Sequence, residues 1–136
     1  MLLVDTNVIV DVLEDDSRWF EWSSRQMSHQ SRVHELLINP VIYAELSPGF
    51  ESQRSLDQRL ETMDIGFREL SKPALFIAGL AHRHYRNAGG PRQAVLADFF
   101  IGAHAAVLGC AILTRDGRRY RRYFPRVPLI SPVAAR

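Results

Sequence analysis

The amino terminus reads Leu2-Leu3-Val4-Asp5-Thr6-Asn7, a short apolar run followed at once by three polar residues. Such a run is typical of a buried strand, and the apolar character that resumes from Val8 to Leu13 predicts a helix after it. We therefore place Asp5 at the carboxyl end of the first strand, where open parallel sheets bind their ligands. The alternative, that Asp5 or Thr6 only caps the following helix, stays open because both side chains cap helices well.

A second acid, Glu45, lies in a helix whose start is clearly marked. Residues 36–38 predict a strand, Asn39 suits the position before a helix, and Pro40 suits the first helical position because it has no N–H to leave unpaired. Glu45 follows Val41 by four residues, so its carboxylate shares a helix face with an apolar side chain. A helix glutamate is more often a plain surface charge, and that interpretation also stays open.

Two further acids lie in the last third of the chain. The segment from about Leu96 to Leu108 predicts a helix that is apolar nearly all round and therefore buried, and Asp98 is its only acid. An aspartate in a first turn either complements the helix dipole or faces a site. Asp116 follows an apolar run that ends at Leu113, so it lies at a strand end, although a turn aspartate beside glycine is common for local reasons.

The four acids become informative when they are taken together. Each lies where an apolar run meets a helix or a turn, and alternating strands and helices can bring such positions to one edge of a sheet. Converging carboxylates repel one another and raise each other's pKa values unless a cation neutralises them. Oxygen ligands favour Mg²⁺ or Mn²⁺ over zinc, and such ions activate water and stabilise the leaving oxygen of a phosphodiester. The arrangement therefore predicts a metal-dependent nuclease.

The sequence resembles the PIN-domain ribonucleases, and within them the VapC-type toxins of bacterial toxin–antitoxin modules. The resemblance rests on four motifs that occur in the family's order over nearly the whole chain: Leu3-Val4-Asp5-Thr6-Asn7, Asn39-Pro40-Val41-Ile42-Tyr43-Ala44-Glu45, Ala97-Asp98-Phe99-Phe100-Ile101-Gly102-Ala103-His104-Ala105 and Thr114-Arg115-Asp116. It implies four catalytic, metal-binding acids, which are Asp5, Glu45, Asp98 and Asp116. It also implies two polar groups beside them, Asn7 and Thr114.

The resemblance implies more about activity and partners. We expect Mg²⁺- or Mn²⁺-dependent endoribonuclease activity on RNA, inhibition by a cognate antitoxin protein, and a homodimer. Two segments depart somewhat from the family pattern. Ser47-Pro48-Gly49-Phe50 follows the helix of Glu45 directly, and Gly89-Gly90-Pro91 predicts a looser loop before Asp98. The rival interpretation is a binding module with the same fold that does not cut, and the retention of all four acids counts against it.

An arginine-rich segment begins at the turn that carries Asp116. It contains six arginines and three aromatic residues: Arg115, Arg118, Arg119, Arg121, Arg122 and Arg126, with Tyr120, Tyr123 and Phe124. Arginine binds phosphate through paired hydrogen bonds and aromatic rings stack on unpaired bases. We therefore predict RNA binding by Arg115, Arg118 and Arg119. A solvated basic helix with inward-packing aromatic residues explains the same pattern.

Length and composition fit a single domain over residues 1–136, since a chain of this size can bury roughly two thirds of its unfolded surface. The one cysteine, Cys110, lies in an apolar run, which predicts a buried thiol and suits a reducing cytoplasm. No apolar run approaches membrane-spanning length, so we expect no membrane association.

The order of predicted elements is strand, helix, helix, strand, helix, helix, short strand, helix, helix, strand, short helix, strand. This alternation predicts an α/β fold, a PIN-like three-layer sandwich with a central parallel sheet of four to five strands. We expect the second helix to run from Ser17 to about Gln30. The last strand should lie at an edge, because Pro128 cannot donate to a strand ladder. His104 is predicted to be a packed, hydrogen-bonded core residue.

Overall fold

The computed structural model describes residues 1–90 and 96–132. At its centre is a sheet of five short strands: β1 (Leu2–Val4), β2 (Leu36–Ile38), β3 (Ile65–Phe67), β4 (Ala111–Leu113) and β5 (Leu129–Ile130). They lie in the order β3-β2-β1-β4-β5, and every neighbouring pair is parallel. The predicted parallel sheet of four to five strands is confirmed, and β5 is an edge strand as Pro128 indicates.

The helices of the described residues occur in the predicted order. They are α1 (Thr6–Leu13), α2 (Phe20–Gln30), α3 (Pro40–Leu46), α4 (Gln53–Thr62), α5 (Lys72–Asn87), α6 (Leu96–Leu108) and α7 (Arg118–Tyr123). A 3-10 turn at Ser47–Gly49 follows α3 directly, where the sequence departs from the family pattern. Pro91, the last residue of the loop predicted to be looser, lies outside the described residues.

The start of the second helix was predicted wrongly. We expected Ser17, whereas α2 begins at Phe20. The Asp16 carboxylate accepts hydrogen bonds from the backbone N–H groups of Arg18 and Trp19 at 2.9 and 2.8 Å, which hold the chain in a turn ahead of the helix. The same two bonds lower the pKa of Asp16. A local side-chain bond to the backbone therefore delays the helix.

The sheet reverses its direction of winding between β1 and β4. The connection from β1 leads towards β2, whereas the connection from β4 leads the opposite way, to β5. Right-handed crossovers in opposite directions place helices on both faces of the sheet, which gives the three-layer sandwich. Such a reversal opens a crevice at the carboxyl ends of the two central strands. Asp5 follows β1 and Thr114 follows β4 at this crevice.

The two central strands are covered on both faces. Every residue of β1 has no exposed surface, and Ile112 and Leu113 of β4 have none either. Full burial explains why these strands are continuous apolar runs, without the alternation of a half-exposed strand. Cys110 is buried as predicted. Within residues 1–90 and 96–132, no helix has both the length and the apolar character needed to cross a bilayer.

Candidate active site

A cleft of about 710 Å³ opens at the crevice between β1 and β4. All four predicted acids line it, together with polar, arginine and tyrosine side chains. They are Asp5 after β1, Glu45 from α3, Asp98 from α6 and Asp116 between β4 and α7. The structure therefore brings to one cleft the acids that are widely separated in sequence.

Asp5 is the most deeply placed of these acids, with 6% of its surface exposed. Its Oδ1 caps α1 by accepting the Thr6 backbone N–H at 2.8 Å, so the capping role that stayed open in the sequence is real. Its Oδ2 accepts the hydroxyls of Thr114 at 2.8 Å and Tyr120 at 2.9 Å. Burial raises the pKa of Asp5 to about 6, partly offset by these hydroxyl bonds and reinforced by nearby Asp98. Asp5 both caps its helix and faces the cleft.

Thr114 and Asn7, the predicted polar neighbours, do lie beside Asp5. Thr114 is fully buried, and its hydroxyl also lies 3.2 Å from the backbone nitrogen of Asp116. Asn7 accepts the backbone N–H of Arg115 through Oδ1 at 3.1 Å. These bonds fasten the turn after β4 to the start of α1. They fix the position of the Asp116 backbone relative to Asp5.

Tyr120 is a site residue that sequence reasoning missed. We grouped it with the aromatic residues available for base stacking, but it is 1% exposed and its hydroxyl points at Asp5. Phe124 is buried too, so the stacking role is wrong for both residues. The sequence gives only a partial signal: Tyr120 and Phe124 are four residues apart, which is the spacing of one helix face, although Phe124 lies just beyond the end of α7. The inward-packing interpretation of the segment is the right one for these two side chains.

Glu45 lies at the exposed rim of the cleft and accepts the Thr6 hydroxyl at 2.7 Å. Its helix is fixed by Asn39, whose Oδ1 accepts the Ile42 backbone N–H at 3.0 Å. The Asn39 side-chain nitrogen lies 3.3 Å from Nδ1 of buried His104 on α6. This buried pair connects α3, which carries Glu45, to the helix that carries Asp98. The prediction that His104 is a hydrogen-bonded core residue is confirmed.

Arginines from α7 hold the other two acids. Arg118 binds Asp116 through two hydrogen bonds of 3.0 and 2.9 Å, and Arg119 binds Asp98 through one. The bond from Arg118 lowers the pKa of Asp116. Two of the four acids are thus already paired with cations of the same chain. The arrangement is the opposite of that at Asp5, where every donor is neutral.

A buried ion pair outside the predicted set supports the same turn. Asp11 on α1 is 1% exposed, and it accepts Nε and Nη2 of Arg115 at 2.8 and 3.0 Å and the Ser23 hydroxyl at 2.7 Å. The Arg115 guanidinium also lies 5.4 Å from the Trp19 ring centroid. The guanidinium that we assigned to RNA is therefore paired with a carboxylate of the same chain, although Arg115 still lines the cleft. The signal for Asp11 was its position as the only acid between Val8 and Leu13.

The donor set of the cleft suits a hard divalent cation. The four acids offer only carboxylate oxygens, and a cation would favour the charged form of Asp5, whose pKa burial raises. Within the described ranges, however, no three acidic, histidine or cysteine side chains are close enough to share an ion. Arg118 and Arg119 lie against Asp116 and Asp98 instead. To hold a shared ion, Asp116 and Asp98 would have to release Arg118 and Arg119 and bind the ion in their place.

Comparisons with known proteins agree with this architecture. The family model for the PIN domain matches residues 2–125. No curated protein sequence matches the chain. Similar solved structures include VapBC2 from Rickettsia felis bound to a promoter DNA fragment (16% identity, TM-score 0.74, covering 97% of this chain and 98% of that one). VapBC-1 from nontypeable Haemophilus influenzae is 18% identical, with a TM-score of 0.72, and the match covers 96% of each chain. A toxin-antitoxin complex from Klebsiella pneumoniae is 17% identical, with a TM-score of 0.66, and the match covers 99% of this chain and 100% of that one. At these identities the likeness shows the fold.

Proposed function

Because the chain belongs to the PIN-domain family, we propose that it is an endoribonuclease whose activity depends on Mg²⁺ or Mn²⁺. The observation that supports this most directly is the lining of one cleft by Asp5, Glu45, Asp98 and Asp116. We assign catalysis and metal binding to these four carboxylates. A cleft at the carboxyl ends of two central parallel strands is also where open α/β sheets place their ligands.

The residues around the acids have supporting parts in this proposal. When bound, Mg²⁺ or Mn²⁺ would supply Lewis acidity that lowers the pKa of water and neutralises phosphate charge. Thr114 and Tyr120 hold the Asp5 carboxylate in one orientation, and Asn7 holds the turn that leads to Asp116. Arg118 and Arg119 would exchange carboxylate partners for RNA phosphates. Arg115, bound to Asp11, acts by fixing that turn, and direct contact between Arg115 and RNA stays a prediction.

The test is cleavage of RNA by the purified chain with Mg²⁺ or Mn²⁺, followed by electrophoresis. We expect wild-type protein to cleave, and Asp5→Asn and Asp98→Asn to fold normally but not to cleave. Glu61→Gln is the matched control, because Glu61 is an exposed acid outside this cleft. Equal cleavage by all variants would point to a contaminating nuclease. Folded wild-type protein that binds RNA but never cuts would favour the rival binding module.

We further propose that the chain is the toxin of a toxin–antitoxin module in the cytoplasm. The support is the resemblance of its motifs to VapC-type toxins, together with a fold shared with the toxin-antitoxin complex from Klebsiella pneumoniae. Induced expression should slow growth of a bacterial host, and Asp98→Asn should remove that effect. If expression of the active chain leaves growth unchanged and no small protein co-purifies with it, the toxin assignment fails.

A homodimer is also proposed, and the surface of α5 supports it. Four apolar side chains of this helix are exposed: Leu75, Phe76, Ile77 and Leu80. Phe76, with 68% of its surface exposed, is the most open of them, and several large apolar side chains exposed on one helix are typical of an interaction surface. Light scattering should give a dimer for the wild type and a monomer for Phe76→Asp. A monomeric wild type would remove this part of the proposal.

A further inference from the structure

The arginines that line the cleft are not equivalent. Four of them do so, and three are held by carboxylates of the same chain: Arg115 by Asp11, Arg118 by Asp116 and Arg119 by Asp98. Arg122 lines the same cleft and makes no ion pair or hydrogen bond with another side chain of residues 1–90 and 96–132. The residues outside these ranges include no aspartate or glutamate. Among the four arginines that line the cleft, Arg122 is therefore the one whose charge is not already paired with a side-chain carboxylate.

The Arg122 guanidinium is also held in place by an aromatic ring. It lies 5.5 Å from the centroid of the Tyr123 ring, within cation–π range. Tyr123 makes edge-to-face contacts in turn with Phe99 at 5.2 Å and Tyr85 at 5.8 Å, and both tyrosines line the cleft. A guanidinium supported in this way loses less conformational freedom on binding than a free arginine. The geometry is that of a prepared anion-binding group.

The place of Arg122 on α7 relates it to the acids. It follows Arg118 by four residues, so both side chains lie on the same helix face, one turn apart. Asp116 lies two residues before this helix, Arg118 is its first residue, and Arg122 is near its end. A polyanion bound at the acids and extended along α7 would bring a neighbouring phosphate to Arg122. The planar guanidinium can bind that phosphate through two parallel hydrogen bonds.

We propose that Arg122, supported by Tyr123, binds a phosphate next to the one that is cut, and that the substrate is a single strand of RNA lying along α7. This inference rests on the proposed function for the identity of the strand. It adds Arg122 to the predicted phosphate ligands and makes it the principal one, because the predicted Arg115, Arg118 and Arg119 are each paired with a carboxylate. Because the subsite acts on binding, it is testable without cleavage.

Arg121 provides a matched control on the same helix. It is exposed, it forms no ion pair among the described residues, and it does not line the cleft. Arg121→Gln and Arg122→Gln therefore remove the same charge from neighbouring positions that differ in whether they face the cleft. Arg122→Lys keeps the charge but loses the planar pair of donors.

The experiment measures binding of a fluorescein-labelled oligouridylate by fluorescence anisotropy, with the full chain in EDTA over a range of salt concentrations. We expect Arg122→Gln to weaken binding roughly tenfold and Arg122→Lys to give an intermediate loss. Loss of one phosphate contact should reduce the slope of log Kobs against log salt by about 0.7. Arg121→Gln should change neither quantity. Annealing the oligonucleotide to oligoadenylate should weaken binding to the wild type.

The outcomes separate this proposal from the nuclease proposal. Equal weakening by Arg121→Gln and Arg122→Gln would show only a diffuse charge effect and would overturn the subsite. Unchanged affinity in Arg122→Gln would overturn it as well, and tighter binding of the duplex would exclude a single strand. If the difference between the two variants is found while the wild type cleaves no RNA with Mg²⁺ or Mn²⁺, Arg122 remains a phosphate ligand for a bound single strand and the nuclease assignment fails.

Discussion

Asp5 and Asp116 each follow a central strand at the same edge of the sheet, but different groups hold them. Asp5 is buried among neutral donors, and burial raises its pKa to about 6. Asp116 is exposed and bound by Arg118, whose hydrogen bonds lower its pKa. One carboxylate is therefore fixed in position and lacks a cation, whereas the other has a cation that can leave. The cleft combines a rigid side at β1 with an adjustable side at α7.

This contrast predicts its largest effect on cleavage. Asp5→Asn should lower the rate roughly a thousandfold, because it removes the charge from the fixed position around which the site is built. Asp116→Asn should lower the rate only about tenfold, since an exposed carboxylate is easier to replace with solvent. The measurement is the initial rate of RNA cleavage at saturating Mn²⁺. Equal losses in the two variants would show that the fixed and adjustable acids contribute alike.

The ion pair between Asp11 on α1 and Arg115 connects the rigid side of the cleft to the turn that carries Asp116. Asp11→Ala should lower the free energy of unfolding by about 3 kcal/mol, because it removes the three hydrogen bonds of a buried carboxylate and leaves the partly exposed Arg115 without its partner. Glu21→Ala breaks an exposed pair with Arg25, 3.7 Å apart, and is the control expected to show little change. Urea unfolding measures the free energy of unfolding of both variants. If Asp11→Ala were as mild as the control, Asp11 would not be what fixes the turn before Asp116.

The pKa of Asp5 predicts a dependence of stability on pH. The pKa of an ordinary aspartate is 3.8 and that of Asp5 in the folded state is about 6, so between pH 3.8 and 6 the folded state binds the proton more tightly than the unfolded state. This contribution is fully present below about pH 4, is lost as the pH rises through 6, and amounts to about 3 kcal/mol. Asp116, whose pKa is lowered, acts in the opposite direction, so the quantity to follow is the difference in unfolding free energy between wild type and Asp5→Asn. A difference that does not vary with pH would contradict the raised pKa.

The fixed side of the site is also the part that the sequence predicts best. The apolar runs of β1 and β4 and the capping residues Asp5 and Asn39 are local signals, and they place their elements correctly. Local signals also mark where Asp5 and Asp116 leave the sheet. The reversal between β1 and β4 then brings these positions together. Short-range patterns are enough here because burial and capping act within a few residues.

The pairing of charges could not be predicted in the same way. Arg115 and Asp11 are far apart in sequence, and the bond between Arg119 and Asp98 depends on how α7 packs against α6. The spacing of Tyr120 and Phe124 indicates that the Tyr120 ring faces inward, but nothing local shows that its hydroxyl meets Asp5. Side-chain partners across elements are set by tertiary packing, which a pattern along one segment does not contain. The arginine segment was therefore predicted as a whole but not residue by residue.

The smallest effect concerns competition for Asp116. Because Arg118 and a metal ion would use the same carboxylate, Arg118→Gln should tighten Mn²⁺ binding, by roughly threefold for so exposed a pair. Titration followed by the electron paramagnetic resonance signal of free Mn²⁺ gives the affinity without any cleavage. Arg121→Gln removes an equal charge that no carboxylate of residues 1–90 and 96–132 holds, so a comparable gain there would show only a general electrostatic effect. Weaker Mn²⁺ binding in Arg118→Gln would instead mean that Arg118 helps to arrange Asp116 for the ion, and the side of the cleft at α7 would then be as fixed as the side at β1.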